Sequence, residues 1–436
     1  VDLTMTILYI PKEISMKVCV IGNGGREHAI AWRLSISPSV EKVYAVPGSA
    51  AMGGVAELVG IDWTQTDLLI RFLKDNKVDL VVVGPEAPLV AGLADDLNKA
   101  GIPVFGPSKA AAQLEGSKVF AKDLMKKYNI PTAAYGVFSD VDEAKQFIAH
   151  TGAPIVVKAD GLAAGKGVVV AMTVEEANVA VEDMLSGNRF GDAGSTVVIE
   201  EFMAGEEASL LAFVDGKTVV PMIASQDHKR IFDGDKGPNT GGMGTYAPAP
   251  VLTDALRDTA MKTILQPMVD ALAVEGMPYV GCLYAGLMIT DQGPKVVEFN
   301  ARFGDPETQV VLPLLEGDLG QIMLSCATGS LEPKQVKWKD SSAACVILAS
   351  KGYPETSSKG DVIHGELKQY DTTIIFHSGT KLEGEHFVTN GGRVLGVVGL
   401  GKDLRTALDR AYERVNHIEF EGMQYRTDIG AKAFKN

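Results

Sequence analysis

The sequence predicts an α/β protein with more than one domain, and three observations support this class. Between Met16 and Gly116, short β-branched runs alternate with helix-forming stretches, which is typical of a parallel sheet with crossover helices. After Lys118, apolar runs joined by glycine-containing turns indicate antiparallel hairpins. The length of 436 residues corresponds to two to four domains at roughly 100–200 residues each.

Residues 16–117 are predicted to form an N-terminal parallel α/β domain. Its first strand, Lys17–Ile21, leads through the glycine turn 22–25 into a helix at Arg26–Leu34. The later elements of this region are predicted at Val43–Val46, Leu68–Asn76, Asp79–Val83, Leu89–Ala100 and Pro103–Phe105.

Residues 118–330 are predicted to form a second domain, which begins with a helix at Lys118–Tyr128. Two hairpins are expected in it, and a long helix at Thr253–Val274 lies between them; the hairpins pair Ile155–Ala159 with Val168–Met172, and Cys282–Thr290 with Pro294–Phe299. Residues 340–436 are predicted to be a C-terminal α+β domain that ends in the helix Asp403–Val415. Residues 1–15 carry no signal-peptide pattern and are expected to be an extension or an expression remnant.

Composition and charge argue against several classes of protein. The net charge of −14 and the isoelectric point of about 5.1 disfavour a surface that coats nucleic acid. No apolar run reaches the ~18 residues that a membrane span needs. The four cysteines are scattered without a C-x-x-C pair, as in the reduced thiols of a cytoplasmic protein. We therefore expect a cytoplasmic protein with small-molecule partners and no nucleic-acid or membrane partner; we also expect a monomer.

The glycine turn 22–25 lies between a predicted strand and a predicted helix, where backbone N–H groups and the helix dipole favour an anion. The dinucleotide fingerprint requires a third glycine where this sequence has Glu27, and no acidic residue follows the second strand. A dinucleotide site is therefore disfavoured, whereas a smaller anionic ligand and a simple tight turn both stay open.

The segment Asp160–Gly167 contains three glycines and Lys166, and Lys158 lies on the strand that leads into it. Such a loop could close over a triphosphate, with N–H groups and ammonium charges distributed over the oxygen atoms. It is not a Walker A loop, because the G-x-x-x-x-G-K-[ST] pattern is missing. The alternative is an exposed basic hairpin.

Carboxylates cluster at the end of the following strand, in the run Glu200–Glu207. By itself this run is an ordinary acidic turn. After a phosphate-binding loop it indicates an adenosine site, in which the strand backbone faces the adenine edge and a carboxylate accepts the ribose hydroxyls.

The run 298–307, EFNARFGDPE, has the sharpest chemical signal. Strand alternation places Glu298 and Asn300 on one face. Two oxygen-bearing side chains suit Mg²⁺, which takes few protein ligands beside the phosphates of a nucleotide. Arg302 would add a planar anion donor just beyond the metal. The alternative is a salt-bridged turn.

A basic run, Ser225–Arg230, and a glycine loop, Gly237–Gly244, complete the set of motifs. His228, Lys229 and Arg230 suit a phosphorylated or carboxylated substrate. The alternative, which is the commoner origin of a charge run, is a solvated face.

In this order the motifs resemble the ATP-grasp superfamily, and in their details the glycinamide ribonucleotide synthetase family. The matching strings are MKVCVIGNGGREHA, VGPEAPL, KADGLAAGKGV, SQDHKR, GPNTGGMG and EFNARFGDPETQ, with NGGRVLGVVGLG near the C-terminus. The resemblance implies an ATP-grasp core in residues 118–330, with a small lid at about 137–207. It also implies an ATP-dependent ligase of purine biosynthesis that uses Mg²⁺ or Mn²⁺ and joins glycine to 5-phosphoribosylamine through glycyl phosphate.

The resemblance further implies roles for residues that match the family motifs. Arg302 and Asp305 would be catalytic, and Glu298 and Asn300 would bind the metal. ATP would be bound by Lys118, Lys158, Gly165, Lys166, Gly167, Glu200, Glu201, Phe202 and Glu207. The other substrates would be bound by Gly24, Gly25, Arg26, Glu86, Asp227, Lys229, Arg230, Gly241 and Gly242.

One departure and three alternatives stay open. Many ATP-grasp enzymes have a metal-binding carboxylate on the strand before Glu298, but Tyr284–Met288 contains none; Glu298 bridging two ions is one solution. Glycine-dependent phosphate release from ATP would separate this ligase from a dinucleotide-dependent dehydrogenase and from a non-catalytic nucleotide-binding protein. A carboxylase-type or formate-using purine ligase is the nearer alternative.

Overall fold

The structure, a computed structural model, describes residues 15–161, 167–186 and 195–434. Residues 1–14 and 162–166 lie outside the described residues. The expectations for the N-terminal extension, for Gly165 and for Lys166 therefore stay predictions.

The N-terminal region forms a parallel five-stranded sheet in the order β3-β2-β1-β4-β5. Its strands are β1 (Met16–Gly22), β2 (Val40–Pro47), β3 (Glu57–Leu58), β4 (Leu80–Val83) and β5 (Val104–Phe105). Its helices are α1 (Gly25–Ser35), α2 (Thr66–Asp75), α3 (Glu86–Ala91), α4 (Leu93–Lys99) and α5 (Lys109–Gly116). Because β1 and β4 are parallel neighbours, α1 and α3 begin at the same edge of the sheet.

One predicted helix of this region is wrong, because Leu89–Ala100 is not continuous. Gly92 has a φ of +103°, which is a left-handed conformation that ends α3 and precedes α4. Helix α3 also begins earlier than predicted, at Glu86, so this carboxylate lies in the first turn of the helix.

The middle region begins with α6 (Lys118–Lys127) and contains two four-stranded antiparallel sheets. One sheet has the order β6-β9-β7-β8, and its elements are β6 (Tyr135–Phe138), α7 (Val141–Thr151), β7 (Ile155–Ala159), β8 (Val168–Ala171), α8 (Val174–Leu185) and β9 (Val197–Glu201). The other has the order β11-β10-β16-β17, with β10 (Glu206–Asp215), β11 (Val219–Pro221), β16 (Val280–Thr290) and β17 (Gly293–Asn300). Both predicted hairpins are confirmed, since β7 pairs with β8 and β16 with β17.

The remaining elements of this region are β12 (Gln226–Asp227), β13 (Arg230–Phe232), β14 (Lys236–Asn239), β15 (Gly244–Ala247), α9 (Asp254–Ala260), α10 (Gln266–Val274), α11 (Thr308–Val311) and α12 (Leu319–Ala327). Strands β13 and β14 form a hairpin. A π-helical turn at Met261–Leu265 joins α9 to α10, so the long helix predicted here is present with one irregular turn.

The C-terminal sheet has the order β12-β15-β18-β23-β20 and takes two of its five strands from the middle region. Its other elements are β18 (Ser342–Ala349), β19 (His364–Gly365), β20 (Thr373–His377), β21 (Thr380–Glu383), β22 (His386–Thr389), β23 (Arg393–Gly401), α13 (Leu404–Val415) and β24 (Ile418–Glu419). Because β12 and β15 flank residues 228–243, this sheet fixes both ends of a loop that contains the second half of the basic run and most of the glycine loop.

The predicted fold class is confirmed: a parallel α/β region is followed by antiparallel sheets and by a C-terminal α+β unit. The four cysteines are buried free thiols. None of the described helices has the length and apolar character that crossing a membrane would require.

Candidate active site

One part of the site is a buried carboxylate between two buried lysines, which we call the Glu200 cluster (Lys122, Lys158 and Glu200). Glu200 lies on β9 and is 2% exposed. Its Oε2 lies 2.9 Å from Lys158 Nζ and 3.2 Å from Lys122 Nζ. Its Oε1 is buried and has no hydrogen-bond partner among the described residues. A buried acceptor without a partner costs roughly 1–3 kcal/mol, so this atom indicates a position where a ligand donates a hydrogen bond.

Lys118 lies beside the start of the predicted phosphate-binding loop. Asp160 Oδ1 accepts the backbone N–H of Lys118 at 2.6 Å, so this carboxylate lies at the positively polarised N-terminus of α6. Lys118 Nζ donates to the carbonyl of Gly161 at 3.3 Å. At the far end of the loop, the carbonyl of Gly167 accepts the N–H of Ala159 at 2.8 Å. The start of the loop is therefore anchored at Lys118, and its far end is anchored at the end of β7.

Glu298 is a carboxylate on which several positive charges of the site act. Burial raises its pKa, but the charges of Lys229, Lys158 and Lys118 outweigh burial and lower the pKa below its ordinary value. The carboxylate is therefore ionised at neutral pH. Asn300 lies two residues further on the same face of β17, and its Oδ1 accepts Arg302 Nη2 at 3.3 Å.

These two oxygen donors fit a divalent cation that shares its other ligands with water and phosphate. Across residues 15–161, 167–186 and 195–434, no group of three His, Cys, Asp or Glu side chains could hold a metal ion. A metal ion bound among these residues would therefore take some of its ligands from Asn300, phosphate or water. Gly286 lies opposite Glu298 in the β16–β17 pair. The described part of the preceding strand therefore adds no second carboxylate at this point.

Arg302 is held by two carboxylates. Its Nη2 lies 2.7 Å from Glu115 Oε1, its Nε lies 3.4 Å from Glu86 Oε2, and its Nη1 donates to the carbonyl of Phe303 at 3.2 Å. Burial lowers the pKa of Arg302, but Glu115 and Glu86 outweigh it and raise the pKa above its ordinary value. A guanidinium has five N–H donors. With the bond to Asn300 included, these contacts leave one N–H of Nη1 for a substrate.

The glycine turn before α1 surrounds a carboxylate of the protein itself. Glu27 Oε2 accepts the N–H of Gly24 at 2.8 Å. A Cβ at Gly22 would lie 2.4 Å from Glu27 Cγ, and a Cβ at Gly84 would lie 2.3 Å from Glu27 Oε1. These glycines therefore make room for Glu27, and the N–H of Gly24 is already bonded within the protein.

Arg26 connects this turn to the Arg302 region. Its backbone N–H donates to Asp305 Oδ2 at 3.3 Å, and its Nη1 donates to the carbonyl of Phe303 at 3.0 Å. Its Nη2 lies 3.8 Å from Glu86 Oε2, and the Glu86 side chain is 34% exposed. Burial raises the pKa of Glu86, but Arg302 and Arg26 outweigh it and lower the pKa. The structure thus brings Arg26, Glu86 and Arg302 together.

Lys229 joins residues that the sequence analysis placed at different substrates. Its Nζ lies 2.8 Å from Glu207 Oε2, and this charge lowers the pKa of Glu207 although burial opposes it. Asp227, on β12, has a raised pKa because burial and the negative charge of Glu307 outweigh the charge of Lys229. Glu307 is buried and accepts Tyr284 OH at 2.7 Å.

Asp305 lies between the N-terminal region and the C-terminal sheet. Arg393 Nη1, at the start of β23, lies 3.3 Å from Asp305 Oδ1 and donates to the carbonyl of Gly241 at 2.6 Å. Gly242 has a φ of +114°, and a Cβ there would lie 2.5 Å from Pro306 Cδ. The glycine loop therefore packs directly against the turn that contains Asp305.

Three predicted residues lie at the margins of this arrangement. Arg230 binds its own hairpin, since its Nη1 donates to the carbonyl of Gly237 at 2.7 Å; this contact does not bring it to the other site residues. Phe202 follows β9 and is 41% exposed. Glu201 Oε1 accepts the N–H of Ala134 at 3.1 Å.

Sequence reasoning missed Lys122, Glu115 and Arg393. Lys122 lies one helical turn after Lys118, so the spacing on α6 is a signal that could have identified it. Glu115, in the string LEGSK that ends at Lys118, and Arg393, in NGGRV, lack a chemical pattern in their own neighbourhoods. Only the folded chain shows their contacts with Arg302 and Asp305.

Comparisons with known proteins identify the family. Three family models of phosphoribosylglycinamide synthetase match this chain: the N domain at residues 16–115, the ATP-grasp (A) domain at 116–308 and the C domain at 343–432. The phosphoribosylamine–glycine ligase of Halalkalibacterium halodurans is 54% identical over 418 residues, which are 96% of this chain and 97% of that protein. An Escherichia coli protein of the same name is 52% identical over 425 residues, which are 96% of this chain and 99% of that protein.

Solved structures agree with this assignment. The crystal structure of phosphoribosylamine–glycine ligase from Thermotoga maritima has a TM-score of 0.84 and 35% identity, and the match covers 95% of this chain and 100% of that one. A biotin carboxylase domain from Hydrogenobacter thermophilus, solved with MgADP, has a TM-score of 0.73 at 16% identity and covers 94% and 91% of the two chains, which supports the ATP-grasp fold alone. The chain belongs to the phosphoribosylamine–glycine ligase family, also called phosphoribosylglycinamide synthetase.

Proposed function

We propose that this chain carries out the reaction of its family with residues from all three parts of the molecule. The reaction joins glycine to 5-phosphoribosylamine at the expense of ATP, in purine biosynthesis, and gives glycinamide ribonucleotide, ADP and phosphate. The observation that supports it best is the setting of Glu298, an ionised carboxylate that is subject to the charges of Lys229, Lys158, Lys118 and Arg302. Phosphoryl transfer depends on such an arrangement, because its catalysis is mainly positioning and electrostatic stabilisation.

For ATP, the proposal places the base at the Glu200 cluster. The partnerless Oε1 of Glu200 would accept a hydrogen bond, and the exposed ring of Phe202 offers an apolar surface. The full set of proposed ATP-binding residues is Lys118, Lys158, Gly165, Lys166, Gly167, Glu200, Glu201, Phe202 and Glu207. Glu298 and Asn300 would hold Mg²⁺ or Mn²⁺, which when bound neutralises phosphate charge and polarises the transferring group.

In the first step, a carboxylate oxygen of glycine attacks the γ-phosphorus of ATP, and the bond to ADP breaks to leave glycyl phosphate. In the second step, the amine of phosphoribosylamine attacks the acyl carbon, phosphate leaves with the electrons of the C–O bond, and the nitrogen loses a proton. The N–H that stays available on Arg302 Nη1 would stabilise negative charge on the transferring group. Asp305 would be the second catalytic residue, beside Arg302.

The proposal also assigns the two other substrates. Glycine and the acceptor region would be lined by Asp227, Lys229, Arg230, Gly241 and Gly242, and phosphoribosylamine would lie near Gly24, Gly25, Arg26 and Glu86. Because the N–H of Gly24 is bonded to Glu27, the contribution of this glycine would be close backbone approach rather than a free donor. Glu86, which is partly exposed between two arginines, is the carboxylate best placed to meet an amine.

Residues 16–117, 118–330 and 340–436 would be the three domains, with a lid at about 137–207. The chain would work as a monomer, which sedimentation equilibrium tests, and in the cytoplasm, where buried free thiols stay reduced.

The direct experiment is a coupled assay of ADP formation with purified protein, ATP, glycine and 5-phosphoribosylamine. ADP formation should require both glycine and the amine. ADP formation that is independent of glycine, or that requires formate or bicarbonate in its place, would overturn the proposal in favour of another ATP-grasp activity.

A further inference from the structure

Lys122 is the member of the Glu200 cluster to which the proposed function assigns no contact with a substrate. It is 2% exposed. Its Nζ donates to Thr132 Oγ1 at 2.8 Å, and the Thr132 hydroxyl donates to the carbonyl of Val296 at 2.7 Å. Lysine is almost never fully buried unless it is paired, and its ionic partner is Glu200 Oε2 at 3.2 Å. The ammonium group therefore has a fixed place.

The fixed ammonium group of Lys122 restricts the orientation of the Glu200 carboxylate. Lys158 binds the same oxygen, Oε2, and is itself held by the carbonyl of Val297 at 3.0 Å. With Oε2 bound by two anchored ammonium groups, the direction of Oε1 is set by the geometry of the carboxylate. Oε1 is the buried atom without a partner.

We propose that Lys122 is a positioning residue that sets the base selectivity of the nucleotide site. It anchors Glu200 as a carboxylate through Oε2, so that Oε1 accepts the 6-amino group of adenine and repels the 6-oxo group of hypoxanthine or guanine. A carboxylate only accepts hydrogen bonds, whereas a carboxylic acid also donates. This inference rests on the proposed function, in which Glu200 lies at the base.

The charges of the Glu200 cluster explain why two lysines are needed. With Lys158 alone, a single buried ion pair would remain, and the carboxylate could rotate so that Oε1 no longer meets the 6-amino group. With Lys122 present, Oε2 is held by two anchored ammonium groups, which fix the direction of Oε1. Burial lowers the pKa of Lys122 to about 8, with Glu200 opposing the shift, so the ammonium form predominates at neutral pH.

The test compares the affinities of full-length protein for ADP and IDP, measured by titration calorimetry at neutral pH. In Lys122→Met, ADP should bind about tenfold more weakly, because one buried hydrogen bond is worth about 1.4 kcal/mol. IDP should change by less than about twofold. In steady-state assays the KM for ATP should rise while kcat stays within about twofold. An equal loss for both nucleotides, or an unchanged ratio, would overturn the inference.

Three further variants separate positioning from folding. Lys126→Met is the matched control, because Lys126 lies one turn further along α6 and also faces the ring of Tyr135, at 6.0 Å against 5.7 Å for Lys122; it should change neither affinity. Lys122→Arg keeps the cation and should retain most of the preference for ADP. Thr132→Val removes only the hydroxyl that holds Lys122, so if Lys122→Met fails to fold, a fall of about threefold in the preference for ADP is the deciding result.

These binding measurements do not depend on turnover. A wild-type protein that prefers ADP but shows no glycine-dependent ADP formation would contradict the proposed function and leave base selectivity intact. A wild-type protein that forms ADP normally but binds ADP and IDP equally would contradict the role of Lys122 and leave the proposed function intact.

Discussion

Arg393 Nη1 lies 3.3 Å from Asp305 Oδ1 and donates to the backbone carbonyl of Asp305 at 2.8 Å. The same nitrogen donates to the carbonyl of Gly241 at 2.6 Å. Strand β23 thereby fixes two segments of the candidate site at once, the turn around Asp305 and the glycine loop. Burial raises the pKa of Asp305, but Arg393 and Arg26 outweigh it and lower the pKa, so the carboxylate is ionised at neutral pH.

Arg393→Gln should therefore impair catalysis more than nucleotide binding. We expect kcat to fall by about tenfold or more, because the positions of Asp305 and the glycine loop both depend on this side chain. The free energy of unfolding should fall by about 1.5–3 kcal/mol, as for the loss of hydrogen bonds to a charged group. Steady-state kinetics and urea unfolding measure the two effects. Full activity of the folded variant would show that the contact with β23 does not position the site.

Arg410→Gln is the matched control for this variant. Arg410 also donates from Nη1 to a backbone carbonyl, that of Leu400 at 2.6 Å, in the C-terminal region but away from Asp305. Its replacement should lower stability and leave kcat unchanged. The comparison separates a general weakening of the C-terminal region from a specific loss of positioning.

Glu298→Gln should fold normally and lose activity. The substitution keeps size and shape but removes the charge that a divalent cation needs. We expect kcat to fall by on the order of 10²-fold or more, as when one preorganised electrostatic group is removed, and the half-saturating metal concentration to rise. Glu316→Gln, at an exposed position, should match wild type in both measurements. A Glu298→Gln enzyme with unchanged metal dependence would place the metal elsewhere.

Arg302→Lys should lower both stability and activity. The variant keeps a positive charge but loses the planar group that contacts Glu115, Glu86 and the carbonyl of Phe303 together. We expect the free energy of unfolding to fall by about 1.5–3 kcal/mol and kcat to fall at least about tenfold, with a smaller change in ATP affinity. Urea unfolding and single-turnover formation of glycyl phosphate test this.

Two further variants show whether the effect of Arg302→Lys is catalytic or only structural. Glu115→Gln removes the carboxylate nearest to Arg302 but keeps the guanidinium group. If this ion pair is purely structural, Arg302→Lys and Glu115→Gln should lose the same stability and keep their activity per folded molecule. Arg257→Lys, in an exposed pair with Asp254, should change neither quantity, because surface ion pairs contribute about 0–1 kcal/mol.

Local patterns predicted the elements whose structure depends on neighbouring residues. The β-branched runs of β1 and β4 and the turns of both hairpins were identified because strand propensity and glycine chemistry act over a few residues. The face shared by Glu298 and Asn300 follows from strand alternation in the same way. The break at Gly92 was missed because a glycine within an apolar helical pattern does not by itself reveal a φ of +103°.

The contacts that hold the site together could not be predicted from such patterns. The carboxylate of Glu115 accepts the N–H of Ala301 across 186 residues of sequence, and Arg393 reaches Asp305 across 88. These pairs depend on how the sheets are arranged in space. For the glycine turn 22–25, the sequence left an anionic ligand and a simple tight turn both open. The structure shows the carboxylate of Glu27 bonded to the N–H of Gly24.

The contact between His28 and His377 predicts how stability depends on pH. His28 Nδ1 accepts the backbone N–H of His377 at 3.0 Å, so the His28 ring must be neutral at this nitrogen. Burial, and then the charge of His377, lowers the pKa of His28 to about 3. Burial lowers the pKa of His377 to about 4. Burial, with Arg426 and Lys432, lowers the pKa of His228 to about 4.

Since an unfolded histidine titrates near pH 6.5, the unfolded chain binds protons below that pH while the folded chain does not. Stability from these residues is therefore complete above about pH 6.5 and is lost as the pH falls towards 4. Each histidine contributes a slope of about 1.4 kcal/mol per pH unit in the lower part of this range.

His28→Asn keeps an acceptor near the Nδ1 position but does not titrate. Its free energy of unfolding should therefore fall less steeply than that of the wild type between about pH 5.5 and 4.5, by about 1.4 kcal/mol per pH unit. His150→Asn, at an exposed position, is the matched control. Urea unfolding at several pH values measures these slopes, and equal slopes for His28→Asn and wild type would show that His28 is not held neutral in the folded protein.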